Sequence, residues 1–305
     1  MRAYVFPGQG SQSVGMLADV ATDYPVVGET FAAASEVLGY DLWQLAQDGP
    51  AEQLNETQRT QPALLTASVA LYRALESAGS VAPRWLAGHS LGEYSALVCS
   101  GCLDFQDAVA LVAKRGELMQ EAVPSGVGAM AAIIGLDDAL VEEACAAAAG
   151  DQIVSAVNYN SPGQVVIAGH AEAVQRAGEA CKERGAKRAL PLPVSVPSHC
   201  ALMQPAAEQL AVELGKLTLN TPNIPVVNNV DVKDERDADA IRDALIRQLY
   251  SPVRWTETVR YLVQQGVTEI YEIGPGKVLS GLNKRIDKSI QSDAVNSIDA
   301  IKARI

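Results

Sequence analysis

The stretch Gly88-His89-Ser90-Leu91-Gly92-Glu93 stands between an apolar run, Trp85-Leu86-Ala87, and a helix-like run from Tyr94 to Ser100. It spells Gly-x-Ser-x-Gly in a strand–turn–helix setting. In such a turn the serine sits on a strained corner with its hydroxyl exposed, and the next N–H faces the reacting oxygen. The flanking glycines allow close backbone approach, and the helix N-terminus adds partial positive charge where an oxyanion would develop. Ser90 therefore reads as a nucleophile on an α/β scaffold, and the type of reaction stays open.

Working outward, Ala3 to Phe6 reads as a short buried strand followed by the loop Pro7-Gly8-Gln9-Gly10-Ser11-Gln12. A helix is expected from about Pro62 to Ala78, with proline near its start and Gly79 past its end. Another is expected from about Phe105 to Ala122, behind an acidic start at Asp104 and Asp107. After Pro124 the pattern changes. Strands are expected at Ala129–Ile134, Ile153–Tyr159, Gln164–Ala168 and Arg188–Val194, with helices at Asp137–Ala149 and Glu172–Arg184. The order β-α-β-β-α-β is the split pattern of a ferredoxin-like unit, here an insertion of about 70 residues. A late strand, Thr268–Ile273, runs into Gly274-Pro275-Gly276-Lys277, which lacks the first half of a phosphate loop and reads as a strand-to-helix turn.

Composition bounds the function. The 305 residues are 48% hydrophobic and 20% charged, ordinary for a soluble enzyme. A net charge of −12 speaks against a nucleic-acid surface. The N-terminus breaks at Pro7 and Gly8, too soon for a signal peptide, and no apolar run reaches membrane-spanning length, so a cytoplasmic protein is expected. Five cysteines do not suggest a disulfide framework; Cys99 and Cys102 spell C-x-x-C, but at a helix end, where packing is the simpler reading. No metal is expected.

A serine nucleophile needs a base, usually histidine. The chain has three: His89, His170 and His199. The side chain of His89 should diverge from Ser90 on the turn, and His170 opens a helix of the insertion. By elimination the base is His199, in Val196-Pro197-Ser198-His199, where the chain leaves the insertion. An α/β-hydrolase places its acid before a late histidine. Here no carboxylate stands out in that role, which points to another serine acyl-transfer fold.

These residues resemble the malonyl-CoA:acyl carrier protein transacylases, freestanding bacterial acyltransferases. The resemblance runs nearly end to end through Phe6-Pro7-Gly8-Gln9-Gly10-Ser11-Gln12, Thr60-Gln61-Pro62-Ala63, Gly88–Glu93 and Lys114-Arg115-Gly116. It continues through Asn158-Tyr159-Asn160-Ser161-Pro162-Gly163-Gln164, Val196–His199 and Glu272-Ile273-Gly274-Pro275-Gly276. It implies a large α/β-hydrolase-like subdomain with a short parallel sheet, residues 1–125 and 198–305, and a ferredoxin-like small subdomain, residues 126–197. By the same resemblance Ser90 is the nucleophile and His199 the base. The N–H groups of Gln9 and Leu91 form the oxyanion hole, although Gly8-Gln9-Gly10 reads equally as a plain tight turn. The histidine is oriented by a main-chain carbonyl, with Gln248 in Arg247-Gln248-Leu249 as the candidate. Arg115 binds the free carboxylate of the acyl group through two parallel hydrogen bonds; on residue type alone it reads as an exposed helix arginine. Met119 lines the acyl pocket or simply packs, and Gln61, Asn158 and Asn160 border the cleft or sit in turns. Glu93 is accounted for by the helix dipole.

The implied reaction is ping-pong. Malonyl moves from malonyl-CoA to Ser90, and then to the phosphopantetheine thiol of acyl carrier protein, supplying fatty-acid synthesis without a cofactor of the enzyme's own. A monomer is expected. Carrier proteins are acidic, as this chain is, so a local basic patch must attract them: Lys182, Arg184, Lys187 and Arg188, or Lys277, Lys284, Arg285 and Lys288. The alternatives are a stand-alone acyltransferase serving a polyketide synthase, with Ser198 leaving the choice between malonyl and methylmalonyl open, and a serine thioesterase or hydrolase. A non-catalytic module of the same fold would lack nucleophile or base.

Overall fold

The structure, a computed structural model, describes residues 1–194 and 196–305. Strands β1 (Arg2–Phe6), β2 (Trp85–Gly88), β7 (Val226–Val227), β8 (Glu269–Ile273) and β9 (Gln291–Val295) form a sheet in the order β7-β2-β1-β8-β9. Every pairing in it is parallel. Inner parallel strands are buried on both faces, which explains the apolar runs of β1 and β2, whereas the edge strand β9 is polar and partly exposed. Tyr4, Phe6 and Leu86 pack into one helix-covered core, while Ala3, Val5 and Ala87 point into the other.

The parallel register places the chemistry. Phe6 lies opposite Gly88, so β1 and β2 end level. The loops leaving the C-terminal ends of β1, β2, β7 and β8 carry Gln9, Ser90, Asn229 and Gly274 respectively. This edge is where open α/β sheets bind ligands.

Strands β3 (Gly128–Ile134), β4 (Val154–Ser161), β5 (Gln164–His170) and β6 (Arg188–Pro191) form an antiparallel sheet in the order β4-β5-β3-β6. With its two crossing helices it is a ferredoxin-like unit. Ala131, Ile133, Val165 and Ile167 pack against the helices Asp138–Ala149 and Ala171–Glu183. Met130, Val166 and Ala168, on the opposite face, meet Cys200 beside the candidate base. The expected last strand stops at Pro191 rather than Val194; Pro191 and Pro193 have no N–H to continue a ladder.

The helix Phe105–Ala122 has the expected bounds, with the Asp104 carboxylate accepting from the N–H groups of Gln106 and Asp107. The helix expected from Pro62 starts earlier, at Thr57, and carries Pro62 in its interior. A proline there removes one backbone hydrogen bond. Most of this helix is buried, including Thr60, Gln61 and Ala63 to Leu65, and such packing outweighs a local preference. All five cysteines are free. Among the described residues no helix is long and apolar enough to cross a membrane.

Candidate active site

Ser90 sits on the corner between β2 and the helix Gly92–Cys99 with φ at 52°, in the left-handed region that costs a serine strain. The glycines around it are sterically required. A Cβ on Gly88 would lie 1.9 Å from the backbone of Gly92, and one on Gly92 would lie 2.0 Å from the Phe6 carbonyl oxygen. Gly8 lets the β1 loop close over the elbow, because a Cβ there would lie 2.7 Å from the His89 oxygen. Among the described residues, neither the Gln9 nor the Leu91 N–H donates to a protein acceptor. Gln9 is exposed in a cleft of about 120 Å³ that Ser90 and His199 also line. Met130, Asn158 and Leu192 line it from the antiparallel sheet and its edge. A much larger concavity, about 790 Å³ around Arg84 and Asn223, lies away from these groups.

His199 reaches Ser90 across the molecule. Its Nε2 is 2.8 Å from the Ser90 Oγ, and its Nδ1 is 2.7 Å from the Gln248 main-chain oxygen. A carbonyl oxygen only accepts, so Nδ1 carries the hydrogen and Nε2 is left bare toward the hydroxyl. The His199 N–H donates to the Leu249 oxygen at 2.9 Å, anchoring a residue whose φ is 66°. Burial, followed by the Arg115 charge, pushes the pKa of His199 down to about 3. The imidazole is thus neutral and able to accept a proton. His89 points elsewhere, with Nε2 2.8 Å from the Asn160 Oδ1, and the Nδ1 of His170 accepts from the Ile153 N–H.

Arg115 is wholly buried. Its Nη1 donates to the Gln61 Oε1 at 2.8 Å, and its Nη2 donates to the Gln248 Oε1 at 3.0 Å and reaches the Ser90 Oγ at 3.4 Å. The guanidinium lies over Tyr94, 5.3 Å from the ring centre. Among the described residues its Nε has no partner and no carboxylate is within ion-pair distance. Burial draws its pKa below the usual arginine value, opposed by Tyr94 and Glu93, but a guanidinium stays charged in proteins. Gln61 donates to the Met119 sulfur at 3.5 Å, and both side chains are buried. Asn158 lines the cleft with an Oδ1 that no donor among the described residues meets.

Glu93 departs from its expected part in the helix dipole. It is 2% exposed, and its Oε2 accepts from the Asn229 N–H at 3.0 Å and the Gln248 Nε2 at 2.8 Å. Burial pushes its pKa up to about 7, against those hydrogen bonds. Asn229, missed in the sequence, returns to the elbow: its Oδ1 accepts from the Ser90 N–H at 2.7 Å and its Nδ2 donates to the Gly88 oxygen at 2.6 Å. The local signal for either is faint. Glu93 shares its helical turn with Gly92, Tyr94 and Ser95, and Asn229 is the second of two asparagines after the apolar pair Val226-Val227.

A bare imidazole on a serine hydroxyl, beside two unengaged N–H groups and a buried cation, is an arrangement for acyl transfer through a serine ester. The profile of the family described as acyl transferase domain matches residues 3–297. The chain belongs to the acyl transferase domain family. The malonyl CoA-acyl carrier protein transacylase of Escherichia coli (strain K12) is 68% identical over 303 residues, covering 99% of this chain and 98% of the relative. The Bacillus subtilis (strain 168) protein of the same name is 46% identical over 304 residues, with 99% and 96% covered. The solved acyl carrier protein S-malonyltransferase from Vibrio cholerae O1 superposes on this acyltransferase with a TM-score of 0.98 at 64% identity, covering 99% of each chain. A malonyl-transacylase solved in complex with its type II polyketide-synthase acyl carrier protein superposes at 0.99 and 63%, covering 99% of this chain and 98% of the other.

Proposed function

We propose that this acyltransferase moves malonyl from malonyl-CoA to the phosphopantetheine thiol of an acyl carrier protein, as the names of its relatives indicate for them. The observation that carries the substrate choice is Arg115: a buried cation beside the nucleophile, with neutral partners and, among the described residues, no carboxylate within ion-pair distance. An acyl group ending in a carboxylate supplies the missing charge, and an uncharged one leaves the cation unpaired.

The steps follow from the contacts. Ser90 Oγ attacks the thioester carbon while its proton passes to His199 Nε2, and the N–H groups of Gln9 and Leu91 are assigned to the developing oxyanion. The C–S bond breaks, and the leaving sulfur takes the proton from the imidazolium. The carrier thiol then gives its proton to His199, its sulfur attacks the malonyl ester, and Ser90 Oγ leaves with that proton. Supply of malonyl to fatty-acid synthesis is the fitting role; the type II polyketide pairing of one neighbour makes a polyketide carrier protein the second acceptor to assay.

Intact-mass measurement after mixing with malonyl-CoA tests the reading. A malonyl adduct is expected on the wild type, none on Ser90→Ala, and carrier protein should discharge it. Arg115→Ala should lose malonyl loading by about a hundredfold or more, two charge-assisted bonds being worth roughly 3 kcal/mol, and gain acetyl loading. An unchanged malonyl-to-acetyl ratio in Arg115→Ala overturns the assignment of the cation.

A further inference from the structure

The steps above leave Glu93 without a task, although it is buried three residues after the nucleophile. One carboxylate oxygen, Oε2, accepts from both Asn229 and Gln248. Each of those residues in turn holds a reacting group. Asn229 grips the elbow from two sides, through the Ser90 N–H and the Gly88 oxygen. The Gln248 Nε2 also donates to the Ser90 oxygen at 3.0 Å, while the Gln248 Oε1 faces Arg115.

An amide can turn over with almost no change of shape, so its direction is set by its partners. The NH₂ end of Gln248 is claimed by two acceptors, the Glu93 carboxylate and the Ser90 carbonyl. Only the carbonyl end is then left for the guanidinium. Without Glu93 the amide loses one of the two acceptors that hold it this way, and an inverted amide would turn its NH₂ donors on Arg115.

We infer that Glu93 is a positioning residue for acyl selection: it sets the Gln248 amide so that its oxygen holds Arg115 in line for the acyl carboxylate, and it steadies Asn229 on the strained elbow. The inference rests on the proposed role of Arg115. Its means is the hydrogen-bonding oxygen. A glutamine at position 93 can offer its own Oε1 to both donors, whereas alanine offers nothing.

The test compares kcat/KM for malonyl-CoA and acetyl-CoA, with holo acyl carrier protein as acceptor, in the wild type, Glu93→Ala and Glu93→Gln. Glu93→Ala is expected to lower the malonyl-over-acetyl preference by about tenfold or more, the size of one lost bond to a charged group. Glu93→Gln is expected to restore most of it. A preference unchanged in Glu93→Ala, or as damaged in Glu93→Gln as in Glu93→Ala, overturns the inference. If Glu93→Ala does not fold, Gln248→Met decides: it removes the relaying amide but keeps the main-chain carbonyl that holds His199, and a wild-type preference in it overturns the relay. Failure of the wild type itself to take malonyl would overturn the functional reading instead.

Discussion

At the scale of single residues, the site is a set of charges stripped of water. Burial lowers the pKa of His199 to about 3 and raises that of Glu93 to about 7, with the buried Arg115 beside both. The sign for His199 is simple: neutral imidazole is the active form, and it persists at every pH above its pKa. An ordinary histidine near 6.5 would lose about nine-tenths of its basic form by about pH 5.5. The acylation step here is expected to lose less than about twofold from His199 between about pH 8 and pH 5.5. Single-turnover malonylation across that range, followed by quench and intact mass, measures it. Groups facing Glu93 include Arg115 and Asp231, and its own titration belongs in the same window. Repeating the profile in Glu93→Gln assigns any inflection near pH 7, because one that belongs to Glu93 disappears there. A wild-type profile that halves near 6.5 and is unchanged in Glu93→Gln contradicts a depressed His199.

At the scale of elements, the site depends on how closely neighbouring pieces can approach. Gly116 follows Arg115, and a Cβ there would lie 2.5 Å from the Gln58 Cα in the helix Thr57–Ser77. The helices Thr57–Ser77 and Phe105–Ala122 therefore touch at their backbones, and that contact brings Gln61 within 2.8 Å of Arg115. Gly116→Ala is expected to cost about 1–3 kcal/mol by overpacking and to lower malonyl preference as the helices separate. Gly28→Ala is the control: nothing lies within 4 Å of its Cβ, and in the first turn of the helix Val26–Leu38 alanine is expected to leave stability within about 0.5 kcal/mol of the wild type or slightly above it. Thermal melts and malonyl-to-acetyl ratios of the two variants check this. The same scale shows what a sequence can carry. The elbow, the helix behind Asp104 and the alternating units of the antiparallel sheet were legible because turn glycines, caps and periodicity are local signals. Ser90 and His199 were paired by the scarcity of histidine, not by any sign of their 2.8 Å separation. The start of the helix at Thr57, the buried carboxylate of Glu93 and the grip of Asn229 were not legible in that way. Each depends on partners far along the chain, and a three-residue window cannot tell a dipole-facing glutamate from a buried one.

At the scale of the whole molecule, the proposed function asks a chain of net charge −12 to receive a carrier protein expected to be acidic. Net charge supplies no long-range attraction, so association depends on where the exposed cations stand relative to the cleft. Lys284 and Arg285 end the helix Val278–Ile286, which follows the Gly274–Gly276 turn at the same sheet edge as Ser90. Arg285 donates to the Gln164 Oε1 at 2.9 Å, joining this helix to β5 of the antiparallel sheet. Lys284 is paired with Asp293 at 3.3 Å but keeps more than half of its side chain exposed, and such a surface pair contributes little to stability. Both cations are exposed, Arg285 beside the junction of the two sheets and Lys284 beside the edge strand β9. Reversing both, Lys284→Glu with Arg285→Glu, is expected to raise the KM for holo acyl carrier protein about tenfold at low salt. The effect should shrink toward about twofold near 0.5 M salt, where the screening length falls below about 5 Å. Free pantetheine, which offers the same thiol without an acidic surface, should be accepted equally by both forms. That comparison separates docking from chemistry: a loss with pantetheine as large as with carrier protein would mean that the charges act on the cleft rather than on the partner, and no loss with either would move the docking surface to Lys182, Arg184, Lys187 and Arg188.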